Sequence, residues 1–243
     1  MLRVISGLVA VLLSAVAFAA DQPPDVLAKT TTQEVLAILK ADKDIQGGNV
    51  QKVYELVEAK VLPHFDFNRM TQLALGKHWN AATPQQKQAL VKEFRSLLVR
   101  TYATSLTAFS DQAVEFKPFS MKPDDTEVTV ETEVKQPGGK PVPINYEMYK
   151  TAFGWKVYDV SIDGVSLVIN YRSSFANTIR QSGIDGLIAT LEAKSKSLEK
   201  TGAQPGGGTT PAKGTKPSPS KPAKAKPSAS VKPLAAAFNI AGI

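Results

Sequence analysis

The 243-residue chain contains no cysteine, so neither a disulfide nor a lipidated cysteine is available to it. Its formal net charge is +7, but residues 201–243 carry six lysines and no acid, residues 1–19 carry one arginine, and residues 21–200 balance 22 basic against 22 acidic side chains. The basic character thus belongs to the chain's end, which argues against a cationic nucleic-acid groove on the central region.

Residues 1–19 have the anatomy of a secretory signal peptide. Arg3 precedes an apolar run from Val4 to Ala17, and Ala17-Phe18-Ala19 forms a small-x-small cleavage site. The alternative is an uncleaved anchor, but the run is short for a bilayer span of roughly 20 residues. The mature protein is therefore expected to be exported and soluble. Residues 201–243 are mostly Gly, Pro, Ala, Ser, Thr and Lys, and disorder is expected as far as about Lys232. This tail reads either as an inert extension or as an electrostatic contact to anionic membranes, at about 1 kcal/mol per lysine near the surface. Leu234 to Ile243 would add a weak apolar contact.

Between these ends, residues 20–200 suit one domain. Thr31-x-x-Glu34 is a capping-box signature ahead of Val35, Leu36, Ile38 and Leu39. Gly47-Gly48-Asn49 breaks that helix, and Val50, Val53, Tyr54, Val57 and Val61 resume helical spacing until Pro63. Asp66 caps a short helix ending at Gly76, with Phe67, Met70 and Leu73 inward. Thr83-Pro84-x-Gln86 starts a long helix whose apolar stripe includes Leu90, Phe94, Leu98, Tyr102 and Phe109. Carried to residue 109 it would span roughly 39 Å.

Four strands come next. Val114 and Phe116 alternate with charges. Glu127 to Val134 puts Val128, Val130, Thr132 and Val134 on one face, and Ile144, Tyr146 and Met148 oppose Asn145, Glu147 and Tyr149. Strict alternation in the fourth strand sets Tyr158, Val160 and Ile162 against Trp155, Val157, Asp159, Ser161 and Asp163, and the apolar Trp155 and Val157 on that second face leave open that the strand's start is buried on both sides. Gln136-Pro137-Gly138-Gly139, Phe153-Gly154 and Asp163-Gly164 are turns, so the strands form an antiparallel meander with one wet face. Two helices close the domain, from Val165 to about Arg180 and from Ile184 to about Lys196, with Leu167, Tyr171 and Phe175 on one face of the first. The expected fold is α+β, with helices packed over one face of a curled antiparallel sheet of about four strands.

Catalytic signals are few. His64 and His78 stand without a cysteine or a second ligand cluster, and read as loop residues rather than metal ligands. Ser166 lacks the second glycine of a nucleophile elbow and reads as a helix cap. Asp159 and Asp163, four apart on a strand, would stand about 13 Å apart, too far to cooperate. There is no phosphate-binding Gly-x-x-x-x-Gly-Lys run. Aromatic and aliphatic stripes on facing elements are abundant, and periodicity leaves open whether they make a solid core or a cleft for an apolar ligand.

Four blocks go further: HFDFNRMTQLALGKHW (64–79), FRSLLVRTYATSL (94–106), INYEMYK (144–150) and WKVYDVSIDGVSLVINYRSSF (155–175). In these, residues from about 29 to 195 resemble the MlaC family of periplasmic phospholipid-binding, toluene-tolerance auxiliary proteins. The last block matches the pattern W-x-V-x-D-V-x-I-x-G-V-S-L-x-x-N-Y-R-S-x-F, with Ser174 where many members have glutamine. The resemblance implies a deep apolar cavity for the acyl chains of one phospholipid as cargo, and no cofactor. It also implies two partners, an outer-membrane lipoprotein complex and an inner-membrane ABC transporter with its substrate-binding subunit. Two chains of about 15 methylenes would forfeit on the order of 24 kcal/mol in water, a cost that only a long dry cavity offsets. The expected lining is Leu98, Tyr102, Val128, Val130, Ile144, Tyr146, Met148, Val160, Ile162, Leu167, Tyr171 and Phe175. Asn170 and Arg172 are expected to make structural hydrogen bonds, buried or at the rim, with contact to the lipid headgroup as the alternative, and the protein is expected to act as a monomer. Competing readings are an enzyme of a cone-shaped α+β fold, which an inward-facing Asp159 would favour, and a cavity-free adaptor.

Overall fold

Pro24 starts the first helix at the position where its missing N–H costs nothing. In the computed structural model, which describes residues 22–136 and 138–200, α1 runs Pro24–Ala41. The expected start near Thr31 is therefore corrected: the signature lies inside the helix, and Glu34 pairs with Lys60 Nζ at 2.5 Å instead. The signal-peptide and tail assignments fall outside the described residues.

Side-chain caps separate the next helices. Asp42 accepts the amides of Asp44 and Ile45 at the start of α2 (Lys43–Gln46), and Asn49 caps α3 (Val50–Leu56), which widens into a π-helical stretch, Val57–Val61. Asp66 Oδ1 accepts the Arg69 amide at 3.0 Å to begin α4 (Phe67–Leu75), which ends at Gly76 with φ 54°. Thr83 and Gln86 complete a reciprocal capping box on α5 (Pro84–Tyr102), worth about 1 kcal/mol. Beyond Tyr102 the chain tightens into a 3₁₀ stretch, Ala103–Phe109, so the α-helical part is shorter than expected.

The sheet is an antiparallel meander of five strands in chain order: β1 (Val114–Phe116), β2 (Glu127–Val134), β3 (Val142–Thr151), β4 (Gly154–Ile162) and β5 (Val165–Ser166). Its fifth strand is two residues long and returns from β4 through Asp163-Gly164, both at positive φ (50° and 77°), the geometry of a type I′ hairpin turn. Between the pairs Glu147↔Asp159 and Met148↔Val157 the register shifts, leaving Tyr158 as the extra residue of a bulge. This corrects the strict alternation: Trp155, Val157, Val160 and Ile162 all join one buried cluster. Tyr158 instead packs outside against Tyr149, ring centroids 5.8 Å apart, with the Arg69 guanidinium 4.1 Å from each ring.

After β5, helix α6 (Leu167–Lys200) is broken at Gly183, whose φ 72° and ψ −177° separate the two halves. The helical layer centres on Phe94, whose ring lies 5.1 Å from those of Tyr171 and Phe175. The sheet's inner face makes a second cluster, and α1 with α3 a third around Leu39 and Val53.

Candidate functional site

The inner face of the sheet is the candidate site, because its apolar side chains are incompletely covered. Val130, Met148, Val157 and Val160 are buried, whereas Val128, Ile144 and Tyr146 on the same strands are only half-buried. The cross-strand rows mix the two: half-buried Tyr146 stands between buried Val130 and Val160. Around them lie further half-buried apolar groups from different elements, among them Leu27 of α1, Phe65 before α4, Tyr102 of α5, and Phe116, Phe119 and Met121 in and after β1. A sheet face closed by solid packing would bury its central residues, so this face is apolar and incompletely covered.

Three tyrosine hydroxyls lie on or beside that surface. Burial raises the Tyr146 hydroxyl above its ordinary titration range, and the neighbouring Thr32 of α1 and Thr132 of β2 oppose that shift. Burial also raises Tyr102 and Tyr171, whose hydroxyls lie near each other where the helical and sheet clusters meet. All three tyrosines remain protonated and uncharged at neutral pH.

The twelve expected lining residues divide between the two layers. Val128, Val130, Ile144, Tyr146, Met148, Val160, Ile162 and Leu167 lie in or against the sheet cluster, and Leu98, Tyr171 and Phe175 lie in the helical one. Tyr102 packs against both. Strict alternation puts Trp155 and Val157 on the opposite face because it does not foresee the bulge. Phe119 and Met121 sit in an irregular segment with no period to expose them.

Charged groups cluster elsewhere. Asp159 is buried, and its carboxylate accepts the amides of Val160 at 2.8 Å and Val168 at 3.1 Å and the hydroxyl of Ser166. Ser166 in turn accepts the amide of Ile169 at 2.9 Å, so it is the cap of α6. Arg172 donates from Nε and Nη2 to the Leu73 carbonyl at 3.1 and 2.8 Å, closing the end of α4. Among the described residues no group of three His, Asp or Glu side chains could hold a metal ion. His64 titrates lower than usual because it is partly buried and faces Lys156. A separate recess of about 520 Å³ between α3, α5 and the end of α6 is lined by charged and polar groups, including Glu58, Arg95, Arg100 and Glu199. It holds none of the expected lining residues.

A family model described as "MlaC protein" matches residues 29–193. The chain belongs to the MlaC family. Among MlaC-family relatives, it is 27% identical to the toluene tolerance protein ttg2D of Pseudomonas putida over 194 residues, 75% of this chain and 89% of that protein. It is 22% identical to the intermembrane phospholipid transport system binding protein MlaC of Haemophilus influenzae over 176 residues, 71% of this chain and 82% of that one. A solved structure of a phospholipid-binding protein from Ralstonia solanacearum, in complex with a phospholipid, superposes with a TM-score of 0.67 at 42% identity. That likeness covers 72% of this chain and 98% of the other. The MlaC-family signature in β4 and α6 is thus in part a folding device: Asp159, Ser166 and Arg172 fix strand to helix and helix to helix. The side-chain nitrogen of Asn170 has no hydrogen-bond partner among the described residues.

Proposed function

We propose that this protein is a periplasmic phospholipid carrier, holding acyl chains against the inner face of the sheet and passing the lipid between membrane-bound complexes. The observation that carries the reading is the band of half-buried apolar side chains, Val128, Ile144, Tyr146 and Tyr102, in the middle of an otherwise buried face. The 42% identical neighbour, which binds a phospholipid, has the same fold. Within the twelve expected residues, the half-buried sheet positions and Tyr102 form the wall. Leu98, Tyr171 and Phe175 back it from the helical core.

The charge balance fits a carrier: residues 21–200 are neutral overall, so net charge does not require the domain to select one headgroup. The partners that suit this role are an outer-membrane lipoprotein complex and the periplasm-facing substrate-binding subunit of an inner-membrane ABC transporter. No helix among the described residues is long and apolar enough to cross a membrane. The enzyme reading loses its strongest support, because Asp159 is held at the junction of β4 and α6. Extraction of the purified protein and mass spectrometry should recover diacyl phospholipid at about one molecule per chain. A lipid-free preparation that also takes up none from vesicles would remove the proposal.

A further inference from the structure

Three polar atoms of α6 are buried without a hydrogen-bond partner among the described residues, the hydroxyl of Ser195 beyond the Gly183 break and, before it, the side-chain nitrogen of Asn170 and the hydroxyl of Ser174. Asn170 and Ser174 are four apart and so lie one above the other on the helix. Leu167 of the same helix belongs to the sheet cluster, while Val168, Tyr171 and Phe175 belong to the helical one. At about 100° per residue, Ser174 lies about 20° from Leu167, and Asn170 about 60° from it, on the side away from Tyr171 and Phe175. Both therefore project from the sheet side of α6. Asn170 is half-buried beside the exposed Ile169, whereas Ser174 is 5% exposed.

Local structure does not account for either atom. A helical serine ordinarily donates to the carbonyl four residues back. Thr178 does this to the Ser174 carbonyl at 3.2 Å, but the Ser174 hydroxyl makes no such bond. A buried donor without an acceptor is costly, and a bound molecule that brings an oxygen removes that cost.

The identity of the oxygen comes from the proposed phospholipid cargo, on which this inference rests. Between its apolar chains and its charged headgroup, a diacyl phospholipid carries two ester carbonyls, which are uncharged acceptors. The donors are uncharged too, and the neighbouring cation, Arg172, is turned to the Leu73 carbonyl. We infer that the Asn170 carboxamide donates to an ester carbonyl of the bound phospholipid, with the Ser174 hydroxyl as a second donor further in. Together they set the glycerol at the rim of the cavity.

The test uses delipidated full-length protein, dioleoyl-phosphatidylglycerol and its diether analogue, which lacks both carbonyls. Asn170→Leu should bind the diester about five- to tenfold more weakly than the native chain, the loss expected for one hydrogen bond. Native and variant should bind the diether equally. The lipid-free variant should melt at or above the native temperature, because an unsatisfied group has been removed. Ser174→Ala, a smaller change that preserves packing, should show the same pattern and decides the matter where Asn170→Leu fails to fold. Unchanged diester affinity, or an equal loss with the diether, overturns the anchor and leaves the carrier standing. A native chain that takes up neither lipid removes the carrier and the anchor together.

Discussion

The carboxylate of Asp159 accepts the backbone N–H of Val168 at 3.1 Å, across the turn that joins β4 to α6. A helix start leaves several amides without intrahelical partners, and here a buried acid from the preceding strand takes one of them. The same carboxylate accepts the Ser166 hydroxyl, whose oxygen accepts the Ile169 amide. Strand end, tight turn and first helical turn are therefore one hydrogen-bonded unit.

Removing that acid should be expensive. Asp159→Ala removes the side-chain acceptor of two buried amides, Val160 and Val168, and of the Ser166 hydroxyl, and should lower stability by about 2–4 kcal/mol. Asp163→Asn is the control. Asp163 is exposed at positive φ, a conformation asparagine tolerates, so its urea midpoint should stay near the native value. A loss below about 1 kcal/mol for Asp159→Ala would show that the junction is held by packing alone.

The order of strands and helices is legible in the sequence because local chemistry marks it. Asp66, Thr83, Gly76, Asp163-Gly164 and Gly183 each stop or start an element for a reason confined to a few residues. The start of α1 is misread because Thr31 and Glu34 form a cap signature that a helix can also carry on its flank, while Pro24 sets the real start. The bulge at Tyr158 is invisible for another reason. Register is decided by what β3 and the helical layer do to Trp155 and Val157, and no local pattern records it. The candidate site is half legible. Alternation shows that Ile144, Tyr146 and Met148 share a face, but only the packing shows that Met148 is covered and Ile144 and Tyr146 are not.

Glu133 sits directly across from Glu115 in the β1–β2 pair, an arrangement that repels unless cations intervene. Lys117 and Lys135 lie 2.6 and 2.5 Å from it, and their hydrogen bonds lower its pKa from 4.5 to about 2. A carboxylate depressed in the folded state stabilises above its unfolded pKa, and that contribution is lost as pH falls through the folded value. The stability gap between native protein and Glu133→Gln should be constant above about pH 5 and close between pH 4.5 and 2. Denaturation curves at a series of pH values read it directly. A gap that persists to pH 2 would assign the effect to shape and not to charge.

Gly183 takes φ 72° and ψ −177°, backbone open essentially to glycine alone. An added Cβ there would meet nothing within 4 Å, so substitution strains the backbone without a clash. Gly183→Ala should cost about 1–3 kcal/mol. If α6 instead straightens, far-ultraviolet circular dichroism should report more helix, and Leu187 and Leu191 would lose their places in the helical core. A variant as stable as the native chain with unchanged helicity would show that the break does not depend on glycine.

Ile144 and Phe175 distinguish the proposed lipid-facing wall from the core behind it. Phe175 is fully buried, and its ring packs against Phe94 and Tyr171 at 5.1 and 5.4 Å. Phe175→Ala should therefore cost about 3–5 kcal/mol, while the lipid carried per folded molecule stays the same. Ile144 pairs across the sheet with Thr132 and Ile162 but is only half-buried. A charge placed there reaches solvent when no lipid is bound and is trapped against acyl chains when lipid is present. Ile144→Glu should thus fold with a loss on the order of 1 kcal/mol and copurify with little phospholipid, as phosphorus analysis of purified protein would measure. Full lipid content in Ile144→Glu, or lipid lost in proportion to stability in both variants, would place the acyl chains away from the sheet.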